Sequence, residues 1–506
     1  MFDCLDKENE DTGKVEYIDG FSRNAKKVPT VPDLLFFGKE RIIDLSEGYG
    51  YKRNKEKCRG LLEIFCDYKF TIEENTPIEE EIALDPELLG KVFENLLAYY
   101  NPETESTARK QTGSFYTPRE IVNYMVDESL IAYLKTQMLE DKPAWLQLGN
   151  LQSKMFGNEV RKGQLKLEQP LSKSRWKEKK IELEDNLRKL IAYSNDEHPF
   201  TDEEDIQQLI YAIDHCKILD PACGSGAFPM GILHKLVYVL AKLDDDNVRW
   251  RELQKRKAQI EIGKALNDID KKERENKLID INDSFEDNAS DYGRKLYLIE
   301  NCIYGVDIQP ITVQISKLRF FISLVVDQKE KKGENRGIRP LPNLETKFVA
   351  ANTLIGLEKP KQIVILPTRF YELEKELEDI RHEHFDAKNR RDKLNCQKKD
   401  KAIRKQIATL LKDSGWQSDT ADKIASFDIY DQNTSATWFE PEWMFGKELS
   451  RGFDVVIGNP PYVSALELKK LIPESQYSYI KTNFESAKGA VDLYIYFFEK
   501  GINILK

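Results

Sequence analysis

No stretch of this 506-residue chain approaches the roughly 18 consecutive apolar residues that a membrane span requires. The first residues, "MFDCLDKENED", lack the basic and then apolar pattern of a secretion signal. Both absences predict a cytoplasmic protein with no membrane partner. The seven cysteines (Cys4, Cys58, Cys66, Cys216, Cys223, Cys302 and Cys396) are scattered and contain no C-x-x-C pair, which excludes a zinc ribbon or a disulfide framework and leaves reduced thiols. Among the five histidines, His382 and His384 flank Glu383, but i, i+2 spacing on a helix turns the rings to different faces. No metal site is assigned. There is no excess of positive charge either: the net charge is -10. That balance disfavours a uniformly basic nucleic-acid binder, although a basic cleft fits inside an acidic protein. Internal repeats and low-complexity linkers are also missing.

What is present is enough apolar content, 40%, for a large core and about two to four domains. Residues 1–110 open with a polar stretch. They then carry "LDPELLGKVFENLLAYY", in which Leu88, Val92, Leu96 and Leu97 share a helical face behind Pro86, so this region is expected to be mainly helical. Residues 111–506 alternate short apolar runs with helix-like segments. The runs are Ile218 to Asp220, Ile303 to Asp307, Lys347 to Asn352, and Phe453 to Ile457. Strands separated by helices predict an α/β fold with a parallel sheet and polar strand termini along one edge. Charged, helix-prone insertions are expected near 140–210, 243–296 and 360–440; the last reads as a long helix or helical hairpin with a solvated face.

The chemistry gathers where the runs end. "DPACGSGAF" sets Gly224 and Gly226 between a strand and a helix, so backbone can approach a bound nucleoside without Cβ interference. No G-K-[ST] ending follows, which disfavours a phosphate-binding loop for ATP hydrolysis. Asp307, after the next run, could accept the protons of both ribose hydroxyls, and Asn352 could bond an adenine edge. "FDVVIGNPPYV" follows a buried strand with two prolines, which hold Asn459 and Tyr462 on a stiff loop. The Asn459 side-chain oxygen and the Pro460 carbonyl are fixed acceptors for the two protons of a planar NH2 group. Tyr462 offers a flat face for stacking. That set suits methyl transfer to an amine, without an acid/base pair or metal. Cys223 reads as a small residue filling the glycine loop rather than a nucleophile.

"GSFYTP", "DPACGSGAF", "GVDI", "ANTL" and "NPPY", in this order, resemble the gamma class of adenine-specific DNA methyltransferases, of the large type found in restriction-modification and phage-defence systems. The resemblance covers about residues 84–506. It implies a Rossmann-like methyltransferase sheet that binds S-adenosylmethionine. Tyr116, Thr117 and Pro118 would flank the methionine end of that cofactor. Asp220, Ala222, Gly224 and Gly226 would lie beneath it, Asp307 would take the ribose and Asn352 the adenine. Asn459, Pro460, Pro461 and Tyr462 would receive an adenine flipped out of double-stranded DNA. In the family the sheet continues with further strands and a target recognition domain, so this chain is expected to be a fragment or one half of a split gene that pairs with a complementary chain. Two alternatives stay open: an inactive truncated chain that binds only cofactor or a partner, and a methyltransferase acting on a protein glutamine or an rRNA base.

Overall fold

The computed structural model describes residues 6–8, 15–17, 41–44, 55–58, 117–139, 173–194, 199–251, 253–254, 290–326, 342–358, 360, 366–387, 390–431 and 433–506. The chain divides into two units, Met1–Leu89 with Lys388–Leu394, and Gly90–Ala387 with Asn395–Lys506.

In the first unit, β1 (Asp6–Glu8) pairs antiparallel with β2 (Val15–Tyr17), and β3 (Arg41–Asp44) with β4 (Lys55–Cys58). Strands are thus what is described where the sequence predicts mainly helix. The candidate helix from Leu88 lies outside the described residues.

The second unit is built on four parallel strands: β5 (Ile218–Asp220), β6 (Ile303–Asp307), β7 (Phe348–Ala350) and β8 (Val455–Val456). Their spatial order is β7-β6-β5-β8. From β5 the chain steps outward to β6 and β7, then crosses back to lay β8 on the other flank of β5. The direction of winding therefore reverses between β5 and β8, and a parallel sheet opens a crevice at the carboxyl ends of two such strands. Beyond β8, Phe453 bridges Leu505 in parallel.

The side chains of these strands alternate between two cores, as the period of two demands. Ile218, Ile303, Phe348 and Val455 enter one apolar cluster, whereas Leu219, Tyr304, Val306 and Val349 enter another, with Val456 packed against it. The first face is covered by α1 (Arg119–Leu139), α2 (Lys173–Ile191), α3 (Glu203–His215), α4 (Ala227–Leu243), α5 (Ser290–Asn301) and α6 (Pro310–Val326). In α1, Val122, Val126, Leu130 and Leu134 form the buried stripe at helical spacing. The Lys235 ammonium of α4, itself buried, reaches Asp127 of α1 at 2.9 Å and the Ile191 carbonyl of α2 at 3.0 Å.

The second face corrects the expectation for residues 360–440. α7 (Thr368–Asp386), α8 (Arg390–Asp413) and α9 (Ser418–Ser426) are helical as the charge pattern suggests. They are not merely a solvated excursion, however. Phe370, Leu373, Leu377 and Ile380 of α7 join Ile403, Ile407 and Leu411 of α8 and Ile424 of α9 against Leu219, Tyr304, Val306 and Val349. The insertion is the layer that keeps the second face of the sheet dry. A high charge content hides this because every third or fourth residue suffices to make an apolar stripe.

Short elements complete the unit: α10 (Pro441–Met444), α11 (Ala465–Leu471), α12 (Glu474–Asn483) and α13 (Leu493–Asn503). Among the described residues no helix is long and apolar enough to cross a membrane. Residues 140–172 and 255–289 of the other two expected insertions lie outside the described residues.

Candidate functional site at the carboxyl edge of the sheet

β5 ends in Asp220, which is 1% exposed. Its Oδ1 accepts the Ala222 N–H at 3.1 Å, a short-range bond that starts the turn. Its Oδ2 is buried without a hydrogen-bond partner. Burial pushes this carboxyl well above the usual range, the Ala222 bond opposes the rise, and the charge of Asp307 adds to it. A raised folded-state value means stability that is fully present below pH 4 and lost as the pH climbs. Asp220→Asn should therefore gain stability relative to the parent as pH rises from 4 to 8, read as a widening gap between their urea midpoints.

The glycine loop follows, with Gly224 at φ 52° and Gly226 at φ 85°, left-handed conformations that side chains resist. Neighbouring strands and α6 hold the loop. Cys223 N–H donates to Val306 O at 2.8 Å and Gly224 N–H to Asp307 Oδ2 at 3.1 Å. From α6, Ser316 Oγ donates to Gly224 O at 2.8 Å and Arg319 Nη1 to Ser225 O at 3.0 Å. Ser316 and Arg319 lie more than 90 positions along the chain, and no local motif in the sequence announces them. The Cys223 thiol is buried, which raises its pKa, consistent with a packing residue.

Asp307 closes β6. Its Oδ1 accepts Gln309 N–H at 2.8 Å and Thr312 Oγ1 at 2.7 Å, while Oδ2 takes Gly224 N–H. Burial raises the pKa and these three donors hold it down. A carboxylate has about four acceptor positions. One, on Oδ2, is left over.

After β7 the chain turns over the same edge. Asn352 Oδ1 accepts Leu354 N–H at 3.2 Å, and its Nδ2 donates to Gln476 Oε1 of α12 at 3.3 Å. Thr353 Oγ1 donates to Pro221 O at 2.7 Å, joining this loop to the one after β5.

β8 runs into Gly458, Asn459, Pro460, Pro461 and Tyr462. Its pairing with β5 ends where Ile457 N–H donates to Leu219 O at 2.9 Å. There is no room for a side chain at the next residue: a Cβ on Gly458 would sit 2.3 Å from Asp220 Oδ1. Gly458→Ala should push the two loops apart at a cost of about 1–3 kcal/mol, and reduce any ligand binding at this edge more than it lowers the urea midpoint of the fold.

Asn459 Nδ2 donates to Thr117 Oγ1 at 3.1 Å, across 342 positions of sequence. Thr117 is buried just before α1, next to exposed Pro118. Tyr116 lies outside the described residues. With Nδ2 anchored, the Asn459 side-chain oxygen accepts no hydrogen bond from the described residues, nor does the Pro460 carbonyl. Tyr462 is 53% exposed, its ring 5.6 Å from that of Tyr494, which in turn lies 6.2 Å from Phe498. Tyr494 extends the flat surface beside the loop; the aromatic run "LYIYFF" was its signal in the sequence. Among the described residues no cluster of His, Cys, Asp or Glu is arranged to hold a metal ion.

The structure thus brings Thr117, Asp220, the glycine loop, Asp307, Asn352 and Asn459 to Tyr462 to one edge of one sheet. The arrangement provides the switch point between β5 and β8, two oriented carboxyl groups, two carbonyl oxygens that accept nothing from the described residues, and an exposed aromatic face. Residues 301–506 match the model of the Eco57I restriction-modification methylase family. That span includes β6, β7 and β8, while β5 and its glycine loop precede it. A protein of the archaeon Methanocaldococcus jannaschii, provisionally named a type II restriction enzyme and methyltransferase, is 26% identical over 304 residues, 59% of this chain. The chain spans 19% of the length of that relative. Both likenesses are to restriction-modification proteins.

Proposed function

We propose that this edge binds S-adenosylmethionine and transfers its methyl group to N6 of an adenine in double-stranded DNA, on a Rossmann-like sheet. The observation that carries the reading is the joining of Asn459 to Thr117 at the β5–β8 switch point, with the Asn459 oxygen and the Pro460 carbonyl accepting nothing from the described residues.

The residues fit the cofactor. The unsatisfied Asp220 Oδ2 is a buried group without a donor, and the left-handed Gly226 lets the loop turn close against α6, where a Cβ would lie 2.8 Å from Ser316 Oγ. Asp220, Ala222, Gly224 and Gly226 would hold its methionine and ribose portions, Asp307 a ribose hydroxyl, and Asn352 the adenine side; Thr117 and Pro118 border the methionine end. When bound, the cofactor supplies an electrophilic methyl group. Asn459 Oδ1 and the Pro460 carbonyl accept the two N–H protons of the target amine, turning its lone pair out of the ring plane and stabilising the positive charge that grows on nitrogen. Pro460 and Pro461 keep those acceptors from relaxing away. Tyr462 stacks on the extruded base and offsets part of the few kcal/mol that flipping costs. The surplus proton leaves to solvent at the open mouth of the crevice. Reading of base sequence falls, in this proposal, to a complementary chain or further segment.

Asp307→Ala should weaken S-adenosylmethionine binding by about 10- to 100-fold, measured by calorimetry. The transfer itself is tested by incubating the chain with the cofactor and duplex DNA and digesting to nucleosides. N6-methyladenine in the mass spectrum is expected; methylation of cytosine alone would refute the assignment of the target.

A further inference from the structure

A cavity of about 240 Å³ lies beside the free edge of β7, away from the β5–β8 crevice, between α6, α9 and the loop 427–438. Its walls are apolar where Val313, Phe348, Val349 and Trp438 meet. Into this setting α6 delivers Lys317, 4% exposed. Among the described residues its ammonium has no hydrogen bond and no ion pair within 4.0 Å. Glu345 attracts it only from farther away, and burial lowers its pKa. The stem of Lys317 is enclosed while its ammonium is not fully shut off, so the charge is open to a partner that enters from the cavity.

Two further donors face the same space. Ser435 Oγ is buried with no hydrogen-bond partner. Ala350 accepts the Ala436 N–H at 2.9 Å on the outer side of β7, and both backbone groups of a strand residue point the same way, so the Ala350 N–H is also directed outward. No described residue accepts from it. The rim also carries two carboxylates: Asp428 Oδ1 takes the Tyr430 N–H at 3.0 Å, and Asp431 takes Asn433 N–H and Thr434 Oγ1, each at 3.0 Å, while Lys423 adds a second cation to the wall.

We propose that this cavity is a second binding site, for a small organic anion: a carboxylate or phosphate group on a compact apolar body, received by Lys317, Ser435 Oγ and the Ala350 N–H. The anionic group lies on Lys317 and the apolar body packs against Phe348 and Trp438. The site is linked to the glycine loop through one rigid helix. Ser316 and Arg319, which bond Gly224 and Ser225, flank Lys317 on α6. An anion that draws Lys317 toward the cavity loads the helix that pins that loop, the physical basis for coupling between two ligands.

The test is calorimetric titration of the full chain with phenyl phosphate and, separately, benzoate. Saturable binding of either is expected, and the one that binds tells phosphate from carboxylate. Lys317→Met should weaken it at least about tenfold, Ser435→Ala by a few-fold, and Lys317→Arg should retain it. Should the methionine variant not fold, the serine variant, whose residue sits in a loop, carries the test. Repetition with saturating S-adenosylmethionine separates the sites: the probe should still bind. Competition between the two would place the cavity inside the cofactor site and overturn the proposal. So would failure of both probes at millimolar concentration, or equal binding by the parent, Lys317→Met and Ser435→Ala. Because the probe titration needs no cofactor, its outcome is independent of whether S-adenosylmethionine binds.

Discussion

Asn459→Ala should lower the rate of methyl transfer by about 10²- to 10³-fold while leaving S-adenosylmethionine affinity within about twofold of the parent, since in the proposed site the side chain serves the target amine rather than the cofactor. Loss of its oxygen removes one of two acceptors that recognise charge formed only in the transition state, so the effect falls on kcat rather than on KM for DNA. Asn459→Asp separates this role from a structural one. The carboxylate keeps the acceptor and can receive a bond from the Thr117 hydroxyl, so it should retain part of the rate. Single-turnover transfer of a labelled methyl group is the measurement. Equal loss in both variants, together with weakened cofactor binding, would mean that the residue serves the fold of the loop.

The largest loss of stability is expected far from that loop, at Asp400. This fully buried carboxylate accepts Arg381 Nε of α7 at 3.1 Å, Arg404 Nε of α8 at 2.5 Å and the Tyr430 hydroxyl at 3.3 Å. The two guanidinium groups go on to cap helix ends, Arg381 on Trp443 O at 2.8 Å and Arg404 on the Ala425 and Phe427 carbonyls. Asp400→Ala leaves two buried cations facing each other and should cost about 3–5 kcal/mol, read as a lower urea midpoint. Replacing all three with apolar residues, as in Arg381→Met/Asp400→Leu/Arg404→Met, should recover much of that loss, because the cost comes from the uncompensated charges rather than from the missing bonds. The same damage would loosen the layer over Leu219, Tyr304 and Val349, so cofactor binding should weaken in proportion to unfolding and no further.

Much of the sheet could be read from the sequence because buried parallel strands are short apolar runs with polar ends. Ile218–Asp220 and Ile303–Asp307 stand where those runs predict. The run Phe453 to Ile457 is cut to Val455–Val456, since Phe453 pairs outward with Leu505 and the chain leaves the ladder before Gly458. Strand order was not legible: β8 lies beside β5 because of pairing across more than 200 residues, which no local pattern encodes. For the same reason the partners of the motif residues were hidden. Thr117 bonds Asn459, Gln476 bonds Asn352, and Ser316 holds Gly224, each a contact between distant segments whose residue types are common on any surface. The motif residues themselves were visible because two prolines after a strand, or two glycines before a helix, are locally expensive and demand a reason. The helical insertion of residues 360–440 was recognisable as helix but not as a core layer: its apolar stripe is diluted by the charges of the opposite face.

Whether the carboxyl edge of this sheet takes S-adenosylmethionine, as proposed, is decided by calorimetric titration of that cofactor into the chain, with ATP and NAD as controls. Saturable binding of S-adenosylmethionine alone is expected. A folded chain that takes up none of it, or that binds ATP or NAD equally well, would refute the proposed site.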